Sequence, residues 1–307
     1  MDFKHCVETQ PGILMEGALG ERLKREYHLK FNDHVAMADL VYHAGGRSAL
    51  SSLWQEYIQI AKHHCLPFLA TTPTRRANRE RVEQAGCHAS IIIDNVEFLR
   101  TIQKKSGIEM YIGGLMGAKG DAYTGKPALS QKEARSFHQW QADLFRNAKA
   151  DFLYAGIMPT LPEAMGMAQA MADTGLPYII SFTIQKDGKL IDGTTISDAI
   201  ACIDSLVQPR PVCYMTNCVH PSIVYQALSH PFNQSPLVRT RFRGIQANTS
   251  PLSYGELDGS PDLKCSDPVS FGEEMMKLRL ISSMNIFGGC CGTDSRHMEQ
   301  VARGLRA

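Results

Sequence analysis

The sequence predicts a parallel α/β fold, and more closely a single-domain (β/α)8 barrel, or TIM barrel, over residues 1–307. Short apolar segments alternate with longer helix-like segments along the whole chain. A length of 307 residues accommodates eight such units. The first apolar segment is followed by Glu16-Gly17-Ala18-Leu19-Gly20-Glu21, which is not G-x-G-x-x-G, so a dinucleotide-binding doubly wound sheet is disfavoured.

Eight short apolar segments are the predicted strands. They are residues 12–15, 67–71, 109–114, 151–155, 177–183, 211–217, 244–247 and 285–289. In a barrel of parallel strands the carboxyl ends meet at one face, where the active site of this fold is built. The polar residues that follow several of these segments should therefore lie together.

Five longer segments have helical spacing: residues 130–148, 161–174, 196–206, 271–284 and 294–305. Ser130 and Glu133 form a capping-box pattern, and Thr293 or Asp294 can cap the last helix. Residues 21–47 are irregular for a first unit and can carry additional elements. Two segments rich in Pro, Ser, Gly and Asp are predicted loops, residues 231–241 and 249–268.

The composition restricts the partners and the compartment. Hydrophobic residues make up 44% of the chain and charged residues 21%, so a large packed core is feasible. A net charge of +1 provides no broad attraction to nucleic acid or membrane. We expect no membrane-spanning helix, because no run of about 18 apolar residues exists. Nine irregularly spaced cysteines and the lack of a signal-peptide pattern predict reduced thiols in the cytoplasm.

Three cysteines carry the strongest functional signal. Two lie in the glycine-rich string Phe287-Gly288-Gly289-Cys290-Cys291-Gly292-Thr293, and Cys218 ends an earlier apolar segment. Three thiolates at two strand ends can hold Zn²⁺ and leave a fourth position open, as catalytic zinc sites do. A vicinal disulfide or a redox pair is the alternative. The other six cysteines are predicted to pack as small hydrophobic side chains; they are Cys6, Cys65, Cys87, Cys202, Cys213 and Cys265.

The Gly-Gly-Cys-Cys-Gly-Thr string, with Asn217-Cys218 before it, resembles the homocysteine S-methyltransferase family. Three further segments are similar to motifs of that family, residues 13–20, 112–123 and 180–194. The resemblance implies a (β/α)8 barrel with zinc bound by Cys218, Cys290 and Cys291. It also implies that a methyl group is transferred to the sulfur of homocysteine, which gives methionine.

The same resemblance implies four substrate-binding residues, Glu16, Gly17, Thr72 and Asn217. Family members hold the amino group of homocysteine with two carboxylates, and Glu16 stands where the first is usually Asp. Gly156-Ile157 stands where the second, in a Glu-Thr pair, is expected. Losing a charged partner of a bound ammonium costs roughly 1.5–3 kcal/mol. The same chemistry on a different thiol therefore remains an alternative.

Four arginines follow the altered second-strand motif Thr71-Thr72-Pro73-Thr74, namely Arg75, Arg76, Arg79 and Arg81. Some of them could face the site and hold a carboxylate or phosphate, but a solvated helix start is the preferred interpretation. Three aromatic residues could contribute to a site for a cationic methyl donor, namely Tyr123, Trp54 and Trp140. Core packing is the simpler role for each of them. His220, close after Cys218, is predicted to lie outside the metal's ligand set.

The methyl donor is predicted to be a small molecule, such as a sulfonium or a betaine, since the barrel accounts for the 307 residues. A separate corrinoid protein is the alternative donor. A third possibility is a non-catalytic zinc-binding barrel, which would require a fourth protein ligand that closes the metal site.

Overall fold

The computed structural model describes residues 2–252 and 266–306. Its eight strands form a closed barrel in sequence order, and β8 pairs with β1 in parallel. The strands are β1 Ile13–Met15, β2 Phe68–Thr71, β3 Met110–Gly117, β4 Phe152–Met158, β5 Tyr178–Phe182, β6 Cys213–Val219, β7 Phe242–Ala247 and β8 Ile286–Gly289. The predicted (β/α)8 barrel is confirmed.

Helices surround the barrel. They are α1 Phe3–Thr9, α2 Gly20–Arg25, α3 Ala44–His63, α4 Arg79–Gln84, α5 Ser90–Ser106, α6 Gln131–Asn147, α7 Leu161–Ala172, α8 Ile196–Leu206, α9 Pro221–Ser229, α10 Pro236–Arg241, α11 Pro268–Lys277 and α12 Ser295–Arg306. Single 3₁₀ turns lie at Ala38–Tyr42, Pro231–Asn233 and Leu278–Leu280. Over the residues described, the helices are all too short or too polar to cross a bilayer.

The five predicted helices are present; α8 has the predicted bounds and the other four have shifted ends. Asp267 caps α11, so this helix begins at Pro268, and α11 gives way to a 3₁₀ turn after Lys277. The predicted loop at residues 231–241 is wrong, because Ser235 caps α10 there and Pro236 occupies its first turn. The predicted loop at residues 249–268 and Cys265 lie largely or wholly outside the described residues.

Several helices lie where none is predicted from the sequence. Between residues 2 and 252 they are α1, α2, α3, α5, α9 and α10. The long helices α3 and α5 begin without a side-chain hydrogen bond at the N-cap, so the usual sequence mark of a helix start is missing. The irregular segment at residues 21–47 contains the end of α2, a 3₁₀ turn and the start of α3.

Strands β3 and β4 extend beyond their predicted ends, and in β3 neighbouring aromatic rings fill the space beside two glycines. A Cβ at Gly113 would lie 2.5 Å from the ring of Phe152, and one at Gly114 would lie 2.5 Å from the ring of Phe145. These glycines therefore permit close packing on the two faces of β3 and do not end the strand.

The barrel interior is a packed core that is closed at its amino-terminal end by α1. Phe3 of α1 stacks on Phe152 with ring centroids 4.1 Å apart and meets Tyr111 edge-on. Asn285 Nδ2 donates to the carbonyl of Val7 over 2.9 Å, which ties α1 to β8. This end is sealed, so the opposite end, at the carboxyl ends of the strands, is where a ligand can enter.

Candidate metal centre

Cys218 and Cys290 meet at the carboxyl ends of β6 and β8. Their Sγ atoms are 2.7 Å apart. Two thiolates on one tetrahedral zinc would lie about 3.8 Å apart, given zinc–sulfur bonds of about 2.3 Å. Cys291 is the next residue and is more exposed, and its thiol still acts on the pKa values of both other cysteines. Two of the three predicted ligands are therefore in direct contact, and Cys291 follows directly after one of them; as a three-ligand zinc site the set remains a prediction.

A β-bulge aims Cys218 at its partners. Cys218 has a left-handed backbone with φ of 59°, and the β6–β7 register shifts between Asn217 and Val219. Such a backbone is uncommon outside glycine, and bulges next to functional sites redirect side chains. Without the bulge, residues 217 and 218 would face opposite sides of the barrel wall.

Asn217 connects three strands at this point. Its Oδ1 accepts hydrogen bonds from the backbone N–H of Ile157 over 3.0 Å and from Ser181 Oγ over 2.7 Å. Ile157 also has a left-handed backbone, with φ of 57°. Asn217 therefore bridges β4, β5 and β6 and supports two strained positions beside the thiols. As a substrate-binding residue it remains a prediction.

Close packing explains the glycines before Cys290. A Cβ on Gly289 would overlap Thr293 Oγ1, and one on Gly288 would lie 2.7 Å from Met15 Cβ. Two hydrogen bonds hold Thr293 Oγ1 in this space: it donates to the carbonyl of Cys290 over 2.7 Å and accepts from Ala18 N over 2.9 Å. Gly288 and Gly289 lack the positive φ that would call for special backbone angles, whereas Gly292 has φ of 84°.

The three thiols differ in their pKa values. Hydrogen bonds from Cys290 and Cys291 hold the pKa of Cys218 well below its usual value, against the effect of burial. Donation to Cys218 raises the pKa of Cys290 well above its usual value and that of Cys291 to about 12. Without a metal, Cys218 is therefore the thiol of this cluster that ionises most readily. Metal binding should release the protons that the thiols still carry.

Glu16 lies just beyond β1 and is only 3% exposed. The N–H of Thr71 donates to both carboxylate oxygens over 3.0 and 3.2 Å, and Thr71 Oγ1 donates over 2.7 Å. Burial raises the pKa of Glu16 to about 7, against the opposing hydrogen bonds from Thr71. This carboxyl is therefore poised to ionise when a cation binds beside it.

The other two predicted substrate residues play different structural parts. A Cβ on Gly17 would lie 2.7 Å from the ring of Tyr57, so glycine allows the chain to pass that ring. Thr72 is fully buried, and its Oγ1 bonds Thr74 Oγ1 over 2.7 Å and accepts from Leu115 N over 3.1 Å. Thr71, not Thr72, contacts Glu16. Contact of Gly17 or Thr72 with substrate remains a prediction.

The three predicted aromatic residues and His220 differ in how close they lie to the thiols. Tyr123 lies beside the thiols, since hydrogen bonding to Cys218 and the charge of Cys218 contribute to raising its pKa after burial. Trp54 is fully buried and Trp140 packs against the core, which fits the core-packing role. His220 caps α9, with Nε2 3.4 Å from Glu274 Oε2, and is not among the thiols.

A second group of possible ligands lies elsewhere. In the part of the chain that the structure describes, His63, His64 and Glu299 place three ligand atoms within 4.8 Å of one another. His64 Nε2 and Glu299 Oε1 are 2.7 Å apart and already satisfy each other. His63 ends α3, which runs away from the carboxyl ends of the strands, so this group is separate from the thiols.

Comparison with known proteins now decides the family. A family model described as homocysteine S-methyltransferase matches residues 13–305. The chain belongs to the homocysteine S-methyltransferase family. The match covers β1 through α12, so the thiols, Glu16 and Asn217 all lie within the family's region.

Two curated members of the family are distant relatives. Homocysteine S-methyltransferase 2 of Saccharomyces cerevisiae is 24% identical over 218 residues, covering 65% of this chain and 63% of the relative. Homocysteine S-methyltransferase 4 of Zea mays is 23% identical over 199 residues, covering 63% and 56%. The matched region thus spans less than two thirds of either relative.

Solved structures of the homocysteine methyltransferase MmuM from Escherichia coli share the fold. The metallated form superposes with a TM-score of 0.76 at 17% identity, covering 97% of this chain and 98% of that one. The oxidized form gives a TM-score of 0.75 at 18% identity, with 96% of both chains covered. These similarities support the same barrel.

Proposed function

We propose that this chain is a zinc-dependent methyltransferase that methylates a metal-activated thiol, with homocysteine as the acceptor and methionine as the product. The contact between the Cys218 and Cys290 thiols at the barrel mouth, with Cys291 beside them, carries the proposal. Membership of the homocysteine S-methyltransferase family supports it independently.

The donor set suits zinc. Three sulfur donors converge from β6 and the turn after β8, and Cys218 is already the most acidic of them. Three protein ligands, here soft sulfur donors, are typical of zinc sites that keep one coordination position open. When bound there, zinc would lower the pKa of an acceptor thiol so that it stays deprotonated at neutral pH.

The surrounding residues would bind and orient the acceptor. Glu16 can ionise against the ammonium of homocysteine, because a carboxyl with a pKa of about 7 loses its proton readily near neutral pH. Asn217 would hold the ends of β4, β5 and β6 together beside the acceptor. Tyr123 lies beside the thiols and would help to exclude water from the reacting sulfur.

The reaction would be an in-line displacement at the methyl carbon. The new S–CH₃ bond forms while the bond from that carbon to the positively charged sulfur or nitrogen of the donor breaks. The electron pair of the broken bond leaves with the donor, and the thiol proton passes to solvent. Alignment of the two substrates supplies much of the rate enhancement in such a reaction.

Substitution of the ligands tests the proposal. Cys218→Ala and Cys290→Ala should reduce zinc, measured by plasma mass spectrometry, from about one ion per chain towards zero, because a site left with two thiolates binds the metal weakly. Methylation of homocysteine by a panel of sulfonium and betaine donors should be lost with it. Cys202→Ala, in α8, is the matched control and should retain both. Zinc and activity that survive Cys290→Ala would contradict the assignment.

X-ray absorption at the zinc edge distinguishes the alternatives. Three sulfur ligands with one exchangeable light ligand in the resting protein, replaced by a fourth sulfur on adding homocysteine, is the expected result. Four protein ligands in the resting protein would favour a non-catalytic zinc barrel. If the enzyme accepted a methyl group only from a methylated corrinoid protein, the proposed small-molecule donor would be wrong.

A further inference from the structure

Arg75 extends over the mouth of the barrel. A Cβ on Gly117 would lie 2.6 Å from Arg75 Cγ and 2.9 Å from its carbonyl oxygen. Gly117 ends β3 and shares its inward-facing side with Gly113, whose missing Cβ faces the interior ring of Phe152. The stem of Arg75 therefore runs across the inner rim of the barrel and does not point away from it.

The next strand also carries a glycine at the same level. Gly117 pairs in register with Gly156 of β4. A Cβ on Gly156 would face Leu115 Cδ1 at 2.8 Å and Asn217 Nδ2 at 3.7 Å, so this position also faces the interior. Two adjacent glycines thus leave this part of the rim, beside Asn217, without side chains of their own, and the stem of Arg75 packs against the first of them.

Arg75 makes no direct ion pair among residues 2–252 and 266–306, although its charge helps to lower the pKa of Asp121. No carboxylate oxygen there lies within 4.0 Å of its guanidinium, whereas Arg79 pairs with Glu83 over 2.9 Å.

Arg75 and the thiols share this rim, because a Cβ on Gly156 would lie 3.7 Å from Asn217 Nδ2 and Asn217 directly precedes Cys218. Arg76 adds positive charge nearby, and its Nε is buried without a hydrogen-bond partner in the described part of the chain.

We propose that Arg75 binds an anionic group on the acceptor thiol, so that the site selects thiols carrying a carboxylate or a similar acid. The proposal rests on the proposed function, since it assigns the substrate class of the same site. A guanidinium binds such a group with two parallel N–H···O bonds. The solvated helix start predicted for the arginines holds for Arg79, which is exposed at the start of α4.

Calorimetric titration of the zinc-loaded protein with a matched pair of thiols tests this. 3-Mercaptopropionate and its methyl ester have the same length and differ in charge. Wild type should bind the acid roughly 10- to 100-fold more tightly than the ester, as expected for a charged hydrogen bond. Arg75→Gln should bring this ratio close to one, and Arg79→Gln should leave it unchanged. Comparing ratios between variants cancels the different acidities of the two thiols.

A second variant tests the same point from the neighbouring strand. Gly156→Glu would place a carboxylate on β4 opposite Gly117, the glycine against which Arg75 packs, and the close contact it makes, Leu115 Cδ1, is the end of a flexible side chain. Affinity for the acid should fall roughly 10-fold or more, because the new carboxylate competes for the guanidinium. Affinity for the ester should change little.

The outcomes separate the two proposals. Equal affinity of wild type for acid and ester, or an equal loss of both in Arg75→Gln, would overturn the role of Arg75 while leaving thiol activation intact. If Arg75→Gln does not fold, the wild-type ratio and Gly156→Glu decide the matter. If the zinc-loaded wild type binds no thiol at all, the proposed function and this inference both fail.

Discussion

Glu16 combines a functional position with a cost in stability. It is almost fully buried, and its pKa rises from 4.5 to about 7 because burial outweighs the hydrogen bonds from Thr71. Unfolding exposes the carboxyl and returns its pKa to the lower value. The folded chain therefore binds more protons than the unfolded chain between these two pH values, and the free energy of unfolding falls as the pH rises through that window.

Glu16→Gln should stabilise the metal-free protein above pH 7, because the buried ionised carboxylate is replaced by a neutral amide. The gain should approach about 3 kcal/mol at high pH and vanish below about pH 4.5. Urea unfolding at a series of pH values measures it. Glu97→Gln, on the exposed side of α5, is the control and should show no such pH dependence. A stability difference that is independent of pH would contradict the raised pKa.

At the scale of single elements, the ends of β4 and β6 depart from regular strand geometry where they approach the thiols. Ile157 and Cys218 are both left-handed, and both lie where the strand register shifts. Asn217 holds the two positions together through its bond to Ile157 N. Strained backbone of this kind persists when surrounding contacts support it, and it is concentrated at functional sites.

The turn after β8 makes a separate prediction. Gly289→Ala should weaken zinc binding, because the new Cβ would displace Thr293 Oγ1 and with it the bond to the carbonyl of Cys290. Zinc affinity, measured by competition with a chelating dye, should fall by roughly 10-fold or more, as for loss of residues that orient metal ligands. Gly45→Ala, in α3, has no atom within 4 Å of its new Cβ and should leave the affinity unchanged. Equal affinities for the two variants would contradict this account of the turn.

Across the whole molecule, stability and chemistry lie at opposite ends of the barrel. The amino-terminal end is closed by α1 and the stacked rings of Phe3 and Phe152. The thiols, Glu16 and Arg75 lie at the carboxyl-terminal end, where bulges and close-packed glycines replace regular packing. This division is characteristic of (β/α)8 barrels, in which one face carries stability and the other carries function.

Phe3→Ala should therefore destabilise the fold without altering the metal centre. Phe3 is 3% exposed, and truncating a buried aromatic side chain typically costs about 3–5 kcal/mol. Chemical denaturation should show this loss, whereas zinc per folded chain should stay unchanged. Phe232→Ala removes the same side chain from a position that is 40% exposed and should cost less than about 1 kcal/mol. Loss of zinc in folded Phe3→Ala would show that the two ends are coupled.

The sequence by itself determined the fold class, the eight strands and the family. These depend on local signals, namely apolar periodicity, turn residues, and the Gly-Gly-Cys-Cys-Gly-Thr string at a strand end. Helices α3 and α5 escaped prediction because their starts lack the capping side chains on which sequence interpretation relies.

Only the tertiary structure decided how the site residues meet. The contact of Cys218 with Cys290 spans 72 positions, and that of Asn217 with Ile157 spans 60. Barrel closure sets these contacts, together with the burial that raises the pKa of Glu16 and the packing of the Arg75 stem against Gly117. Backbone bulges, desolvation and packing against distant residues arise from the assembled fold, and no local pattern of amino acids encodes them.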